Sequence, residues 1–365
     1  MSEEKKEAPA PALKVEKLKE ILLPTGVLGL DISADAKRAF ASCIDGGVFA
    51  VPIDAGERRK LGAHESYASG VASIANSPYV ISGGYDGVIQ WHEPERKGAK
   101  RGLRKISAHR FWSWQVAASR DGKYMASVTG QYLCGGYKYE PLPEREPSVR
   151  VFDAQTGKLL HSFTHVPPVQ AVAFSSDGKF LAAGNLMGEV RIWNLDARKQ
   201  IANFTTPNFT GWGIIKGHYY TGGIYALHFA AGDDELYVAG MGSTTDPAAG
   251  NGKQLWQRFQ WREDKKIGET NEGDAGRGLM ETLAFHPGGK FFVMAGRLEN
   301  GKWSMAVFDT EKGALLHSTD TKSRVTKAIF SADGTKLFLG EALGQGKPKD
   351  GNVPDFGRIT VYSVV

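Results

Sequence analysis

Nine histidines and two cysteines are the residues with which this 365-residue chain could hold a metal or attack a substrate. A structural zinc site needs Cys and His ligands in closely spaced pairs. Cys43 and Cys134 form no such pair, and His64, His109, His165 and His218 stand far apart. No glycine-rich run ends in Lys-Ser or Lys-Thr, so a phosphate cradle is missing. No serine sits between glycines at a strand-to-helix turn, which removes the nucleophile elbow. We therefore expect no catalytic residue, no metal and no cofactor, and two reduced, structural thiols.

Two other groupings could act by binding. Residues 96–105 hold six positive charges and no acid. Such a run can attract nucleic acid or acidic lipid, but it lacks the interleaved aromatics that stack on bases. It reads more simply as a charged edge strand that blocks edge-to-edge pairing. The second grouping is aromatic and includes Tyr67, Tyr85, Phe111, Trp112, Trp114, Tyr132, Phe209, Trp212 and Tyr220. Tyr, Trp and Arg are the residue types that dominate protein-binding hot spots.

These residues sit on a repeat. Phe174-Ser-Ser-Asp-Gly-Lys-Phe-Leu-Ala-Ala-Gly184 is an apolar strand end, a tight turn and a second apolar strand. Close copies lie at 117–130, 284–296 and 329–340, and weaker ones at 31–42, 74–84 and 228–240. Each is followed by a short apolar strand such as Val190-Arg-Ile-Trp-Asn194 or Val149-Arg-Val-Phe-Asp153, and then by a fourth, as in Lys158 to Phe163. Short apolar or alternating runs bounded by Gly, Asp and Asn are strand signals, and the 45 glycines suit many tight turns. Repeats of about 40 to 45 residues carrying four strands cannot bury a core singly but can when packed radially. We therefore expect an all-β, seven-bladed propeller of four-stranded antiparallel blades over residues 13–365, with residues 1–12 a disordered tail.

The chain resembles the WD-repeat β-propeller family. That family's marks are a Gly-His pair before the first strand of a repeat and a Trp-Asp pair ending the third. Gly217-His218 is a full pair, while Ala63-His64, Ala108-His109 and Thr164-His165 are degenerate. Trp91-His92, Trp193-Asn194, Phe152-Asp153 and Phe308-Asp309 are degenerate endings. The resemblance implies a structural hydrogen-bond set of His64, Ser82, Asp86 and Trp91 in unit two. Unit four, with Ala183 and Met187 at two of those places, cannot form it. Asp153 to Leu160 is also similar to the turn motif of quinone-cofactor propeller dehydrogenases. The repeated Trp of that motif is missing, which leaves a polar hairpin turn and no quinone.

The last unit ends on its third strand at the C-terminus. Val15 to Leu23 alternates enough to supply the missing fourth strand and close the ring; the same residues could instead cap it as a short helix. Long loops at 131–147, 243–253 and 341–357, with the connection 205–223, fall at one rim, where inserted loops build a binding face. Arg277 and Arg324 come just before first strands, near the channel mouth. The positions expected to meet the channel are Thr25, Ser69, Trp112, Pro167, Gly222, Gly278 and Ser323. They are mostly small and neutral, which does not make an acid-base site.

These features point to a non-enzymatic scaffold that binds a peptide segment or protein partner through Tyr85, Phe111, Trp112, Trp114, Tyr132, Trp212, Tyr220, Arg277 and Arg324. The competing reading of the aromatics is that they pack the loops onto the ring. The alternative functions are a small-ligand or enzymatic site in the channel and, behind it, nucleic-acid binding through 96–105. The N-terminus lacks the apolar segment of a secretory signal, and no run approaches about 18 apolar residues. Cytoplasmic residence without membrane contact is expected; oligomeric state carries no signal.

Overall fold

In the computed structural model the regular structure of the described residues is β-strand, and the only helix among them is a 3-10 turn at Pro207–Phe209. The structure describes residues 13–96, 104–130, 144–211, 221–230, 232–242, 253–270, 277–300, 303–344, 346 and 353–365; at 207, 210, 211, 221, 222, 277 and 298–300 it describes backbone alone. The expected tail at 1–12 lies outside these residues. No helix among them is long and apolar enough to cross a membrane.

The strands form seven antiparallel sheets. In blade 2 the order from the centre outward is Ala68–Ser73, Val80–Gly84, Val88–His92 and Lys105–Ser107. Blades 1, 3, 4 and 6 repeat this plan, and blade 5 adds a two-residue strand, Thr210–Gly211, beside its first strand. The first strands touch one another in a closed cycle from Val27–Ile32 of blade 1 to Arg324–Phe330 of blade 7 and back.

The turn between the first two strands explains the strongest repeated motif. In blade 4 the Ser175 hydroxyl donates to Asp177 (2.8 Å) and accepts from the Phe180 amide (2.8 Å). Gly178 then takes φ +71°, a left-handed conformation that glycine adopts without a Cβ clash. Blades 3 and 7 repeat the same contacts with Ser119-Asp121 and Ser331-Asp333.

Burial runs along each sheet as the propeller plan requires. Second strands such as Val80–Gly84 are buried at every residue, because neighbouring blades cover both faces. Outer strands such as Leu159–Phe163 are only partly covered. The core divides into seven apolar clusters, one at each junction between blades. Burying one Val, Leu, Ile or Phe side chain contributes about 1.5–3 kcal/mol, so each junction is a large share of the total.

The junction of blade 7 with blade 1 depends on the chain's two ends. Val15–Leu23 pairs antiparallel with Gly357–Val364, Val15 facing Val364 and Leu23 facing Gly357. The N-terminal segment is thus a closing strand, and the short-helix option is set aside. Leu23, Ile359 and Val361 join Phe338, Val27 and Leu30 in the junction's core.

A buried ion pair clasps the closure. The carboxylate of Glu341 (0% exposed) takes two hydrogen bonds from Arg358, Nε to Oε2 at 2.8 Å and a terminal nitrogen to Oε1 at 2.7 Å. Ser323 and Thr360 hydroxyls also donate to it. The other terminal nitrogen of Arg358 reaches Glu20 on the closing strand at 3.1 Å. Removing one partner of a buried pair strands the other, at about 3–5 kcal/mol, whereas exposed pairs are worth at most about 1 kcal/mol. We predict that Arg358→Met lowers unfolding stability by about 3–5 kcal/mol, and that Lys17→Met, which breaks the exposed Lys17–Glu20 pair, changes it by less than about 1 kcal/mol. Urea unfolding of both variants checks this, and equal effects would contradict it.

Candidate functional site

At one end of the ring the loops that lead into first strands meet the turns between second and third strands. In blade 2 the Tyr85 amide of such a turn donates to the Tyr67 carbonyl of such a loop at 2.8 Å. This rim carries a run of touching rings across blades 2 and 3. Tyr85 stacks on Trp112 with centroids 4.7 Å apart and planes 10° from parallel, and Trp112 stacks on Phe111 at 4.6 Å. Trp114 lies 5.5 Å from Tyr85, and Tyr67, 47% exposed, lies 5.4 Å from it on the other side. Each such contact adds about 0.5–1.5 kcal/mol beyond area burial, so the shelf is preorganised. Gly130 makes room for it: a Cβ there would stand 2.5 Å from the Trp114 ring.

Four of the expected binding residues, Tyr85, Phe111, Trp112 and Trp114, are therefore brought together. Arg324 is close by on blade 7, and the Tyr85 and Tyr225 rings are near enough to act on its charge. Its guanidinium grips Glu281 of blade 6 with two bonds of 2.6 and 2.9 Å, and the carboxylate raises its pKa further above an already high value. Tyr132, Trp212 and Tyr220 lie outside the described residues, as do most of the long loops, His218 and the Arg277 side chain. Phe209 is a correction: it is 0% exposed and packs in the junction of blades 4 and 5. Most of the basic run lies outside the described residues too; of its end, the Arg104 guanidinium stacks on Trp91 at 4.1 Å.

The channel positions differ from the sequence expectation, for a structural reason. Every first strand carries a β-bulge, one residue skipped by the register with the second strand. The skipped residues are Leu28, Ser69, Trp114, Gln170, Tyr225, Glu281 and Thr326, and all seven line one central cavity. A bulge re-aims a side chain, and here it turns one residue per blade inward. Of the expected set only Ser69 belongs to this ring. Thr25, Trp112, Pro167, Gly222, Gly278 and Ser323 lie two or three residues earlier, before the bulge. The readable signal was a single residue set between two buried ones, as in Val169-Gln170-Ala171 or Ile224-Tyr225-Ala226. The lining thus includes the large rings of Trp114 and Tyr225 and one acid, Glu281, beside small residues such as Ser69. The cavity is small, at about 100 Å³.

The hydrogen-bond set of blade 2 has a different fourth member from the one expected. His64 Nδ1 lies 3.0 Å from Asp86, and its Nε2 lies 2.8 Å from the Ser82 hydroxyl. Ser82 then meets His92 Nε2 at 2.8 Å. Trp91 donates instead to the Ala154 carbonyl of blade 3 at 2.8 Å. Strand alternation is the cause: Ser82 pairs with Gln90, so Gln90 and His92 share its face and Trp91 projects from the other. Asp86, His64 and Ser82 stand in the order of a catalytic triad, but Ser82 is 0% exposed and held on both sides, so no substrate reaches it.

Other blades replace the set with an acid–arginine clasp that the sequence reading missed. Arg150 and Arg191 occupy the third-strand place of Gln90, and Arg358 stands two residues before that place; each donates to a carbonyl of the loop before its first strand: Ala108, Thr164 and Thr321. The Gln90 amide does the same to Ala63. Each arginine pairs with a nearby acid, Glu146, Glu189 or Glu341. The signal was the recurring Arg of Val-Arg-Val-Phe and Val-Arg-Ile-Trp.

Three histidines under the rim, His92, His109 and His165, are held neutral by burial. In blade 4, where the set does not form, His165 Nδ1 accepts from the Val166 amide (2.7 Å) and its Nε2 faces the Ala183 carbonyl (3.2 Å). Burial, with Arg191 adding to it, lowers its pKa to about 3. Burial likewise lowers His109 to about 3 and His92 to about 4. An unfolded histidine titrates near about 6.5, so from there down to about 4 the unfolded state binds more protons and stability falls with pH. We predict a falling melting temperature over that interval and a shallower fall in His165→Gln. Thermal melts across pH check it; an unchanged slope would contradict it.

Two segments, residues 56–92 and 157–194, match the family described as WD domain, G-beta repeat. Each runs from the outer strand of one blade through three strands of the next, Arg59 to His92 and Leu159 to Asn194. No curated protein matches the chain. Two such repeats set in a closed ring of seven blades support a place for the chain in the WD-repeat β-propeller family.

Proposed function

We propose that the protein is a non-enzymatic interaction scaffold that holds a peptide segment or protein partner against the rim of blades 2 and 3. WD-repeat propellers are in general platforms for protein interaction, and the choice of face is ours. The observation that carries it is the aromatic shelf of Tyr67, Tyr85, Phe111, Trp112 and Trp114, whose stacked rings stand at the rim with Tyr67 half exposed. Rigid aromatic rings give contact area at little conformational cost, and they are the usual anchors of protein interfaces. The Arg324–Glu281 pair beside them offers a polar edge.

The cavity argues against a cofactor or metabolite in the channel. Small-molecule sites enclose roughly 300–1,000 Å³, several times the volume enclosed here. Tyr132, Trp212, Tyr220 and Arg277 belong to the same proposal through their place in the chain.

A crosslinked pull-down from the native lysate tests the reading, with the wild type beside Trp112→Ala. A hot-spot truncation costs about 2 kcal/mol or more, about 30-fold in affinity. We expect a protein captured by the wild type and lost by the variant, with unchanged circular dichroism. Equal capture by both would overturn the choice of face.

A further inference from the structure

Lys327 is the charged residue of the central cavity that the ring's own architecture does not employ. It follows the bulged Thr326 in the first strand of blade 7, Arg324–Phe330, and lines the cavity. In the other blades the residue after the bulge is small or neutral: Gly29, Gly70, Gln115, Ala171, Ala226 and Thr282. The two of these whose side chains can accept a hydrogen bond use it to tie the next blade. Gln115 accepts from the Val172 amide at 2.7 Å, and Thr282 from the Ala328 amide at 3.0 Å. An ammonium has three donors and no acceptor, so Lys327 cannot make that tie.

Among the described residues Lys327 makes no hydrogen bond or ion pair. It is part-buried, and its nitrogen is not among the unpartnered polar atoms shut away from solvent. Its charge acts on Asp31 of blade 1 and on His228 of blade 5, which lie to either side of blade 7. The ammonium therefore reaches in toward the channel axis. Asp31 is tethered elsewhere, one oxygen accepting from the Ile32 amide and the other from the Ser73 amide. Burial holds His228 neutral, its pKa lowered to about 4. Toward the rim, both oxygens of Glu281 are on Arg324. What the cavity leaves open is one ammonium with unused donors. A buried charge without hydrogen bonds is costly, and anionic oxygens are the acceptors that satisfy it best.

We propose that the channel takes a single carboxylate onto the Lys327 ammonium. One ammonium balances one negative charge, so a monoanion suits the site, and a dianion would leave a charge uncompensated near Asp31. At about 100 Å³ the cavity holds the end of one side chain and not a whole ligand. Tyr85 and Arg324 line it as well as belonging to the rim, so the side chain enters from a segment lying on the shelf. The carrier is then an Asp or Glu of the partner; this last step rests on the rim being the binding face, whereas the carboxylate pocket itself does not.

Free propanoate tests the pocket without any partner, so its failure would leave the rim reading standing. The full chain is labelled with ¹⁵N throughout and with ¹³C at the lysine Cε atoms. The Lys327 signal is identified by its loss in Lys327→Met, with Lys327→Gln as a second variant should the first not fold. Propanoate, propanamide, propylammonium and sulfate are then titrated separately at constant ionic strength. We expect a saturable shift of the Lys327 signal with propanoate, and none at the exposed Lys17. The response to the other three probes should be at least about tenfold weaker, since sites built around hydrogen bonds reject analogues that leave them unpaired. We also expect the propanoate-induced shifts of the Gly70 and Gln115 backbone amides to vanish in the variant. A glutamate blocked at both ends then separates the sources: it binds at least as tightly as propanoate when a partner's side chain is the carrier, and binding of propanoate alone would overturn that step. No shift with propanoate, the same response at Lys17 and Lys327, backbone shifts that persist in the variant, or an equal or stronger response to any of the other three probes would overturn the pocket.

Discussion

The ring closes only because its two chain ends share one sheet. A row of blades has one fewer junction than a ring of the same blades, and its end sheets face water on one side. The pairing of Val15–Leu23 with Gly357–Val364 removes those open faces, and the cluster around Leu23, Phe338 and Ile359 is the core so gained. The family repeat shows the same logic at smaller scale, since each matched segment begins on one blade and ends on the next. Sequence repeat and blade are out of step by one strand, so no repeat can fold away from its neighbour.

The closed ring gives the rim its fixed geometry. Inner strands are covered on both sides, and polar side chains tie them across junctions: Asp31 accepts from the Ser73 amide, Gln115 from Val172 and Thr282 from Ala328. With the strands locked, one bulge at the same place in every first strand turns seven side chains into the channel. The turn that carries Tyr85 is held by Asp86 and His64 beneath it. A rim of this kind would lose little conformational entropy on association, because its aromatics are stacked beforehand.

Much of this was legible in the sequence. The Ser-x-Asp-Gly turn is a local motif with a local cause, so it marked the hairpin of the better-kept repeats. The closing strand was readable as a gap: one blade lacked a fourth strand, and one alternating segment lacked a blade. Tyr85, Phe111, Trp112 and Trp114 could be gathered because turns after second strands and entries to first strands open on the same rim. What failed were choices that depend on register. Trp91 was assigned to the Ser82 chain from its position in a motif, yet strand alternation sends it to the opposite face, and His92 stands in its place. The channel residues were misplaced by two or three positions because a bulge adds a residue without changing composition. Phe209, read as a rim aromatic, is buried because a short 3-10 turn folds it back into a junction.

The central claim is that partners meet this protein at the rim of blades 2 and 3 and not at its outer edge. Site-specific photocrosslinking in cells tests it directly. A photoreactive residue replaces Tyr67 on the shelf in one variant and Leu159, 46% exposed on an outer strand, in another. The account predicts a discrete protein adduct from position 67 and none from position 159. Adducts from position 159 alone, or the same adducts from both, would contradict it.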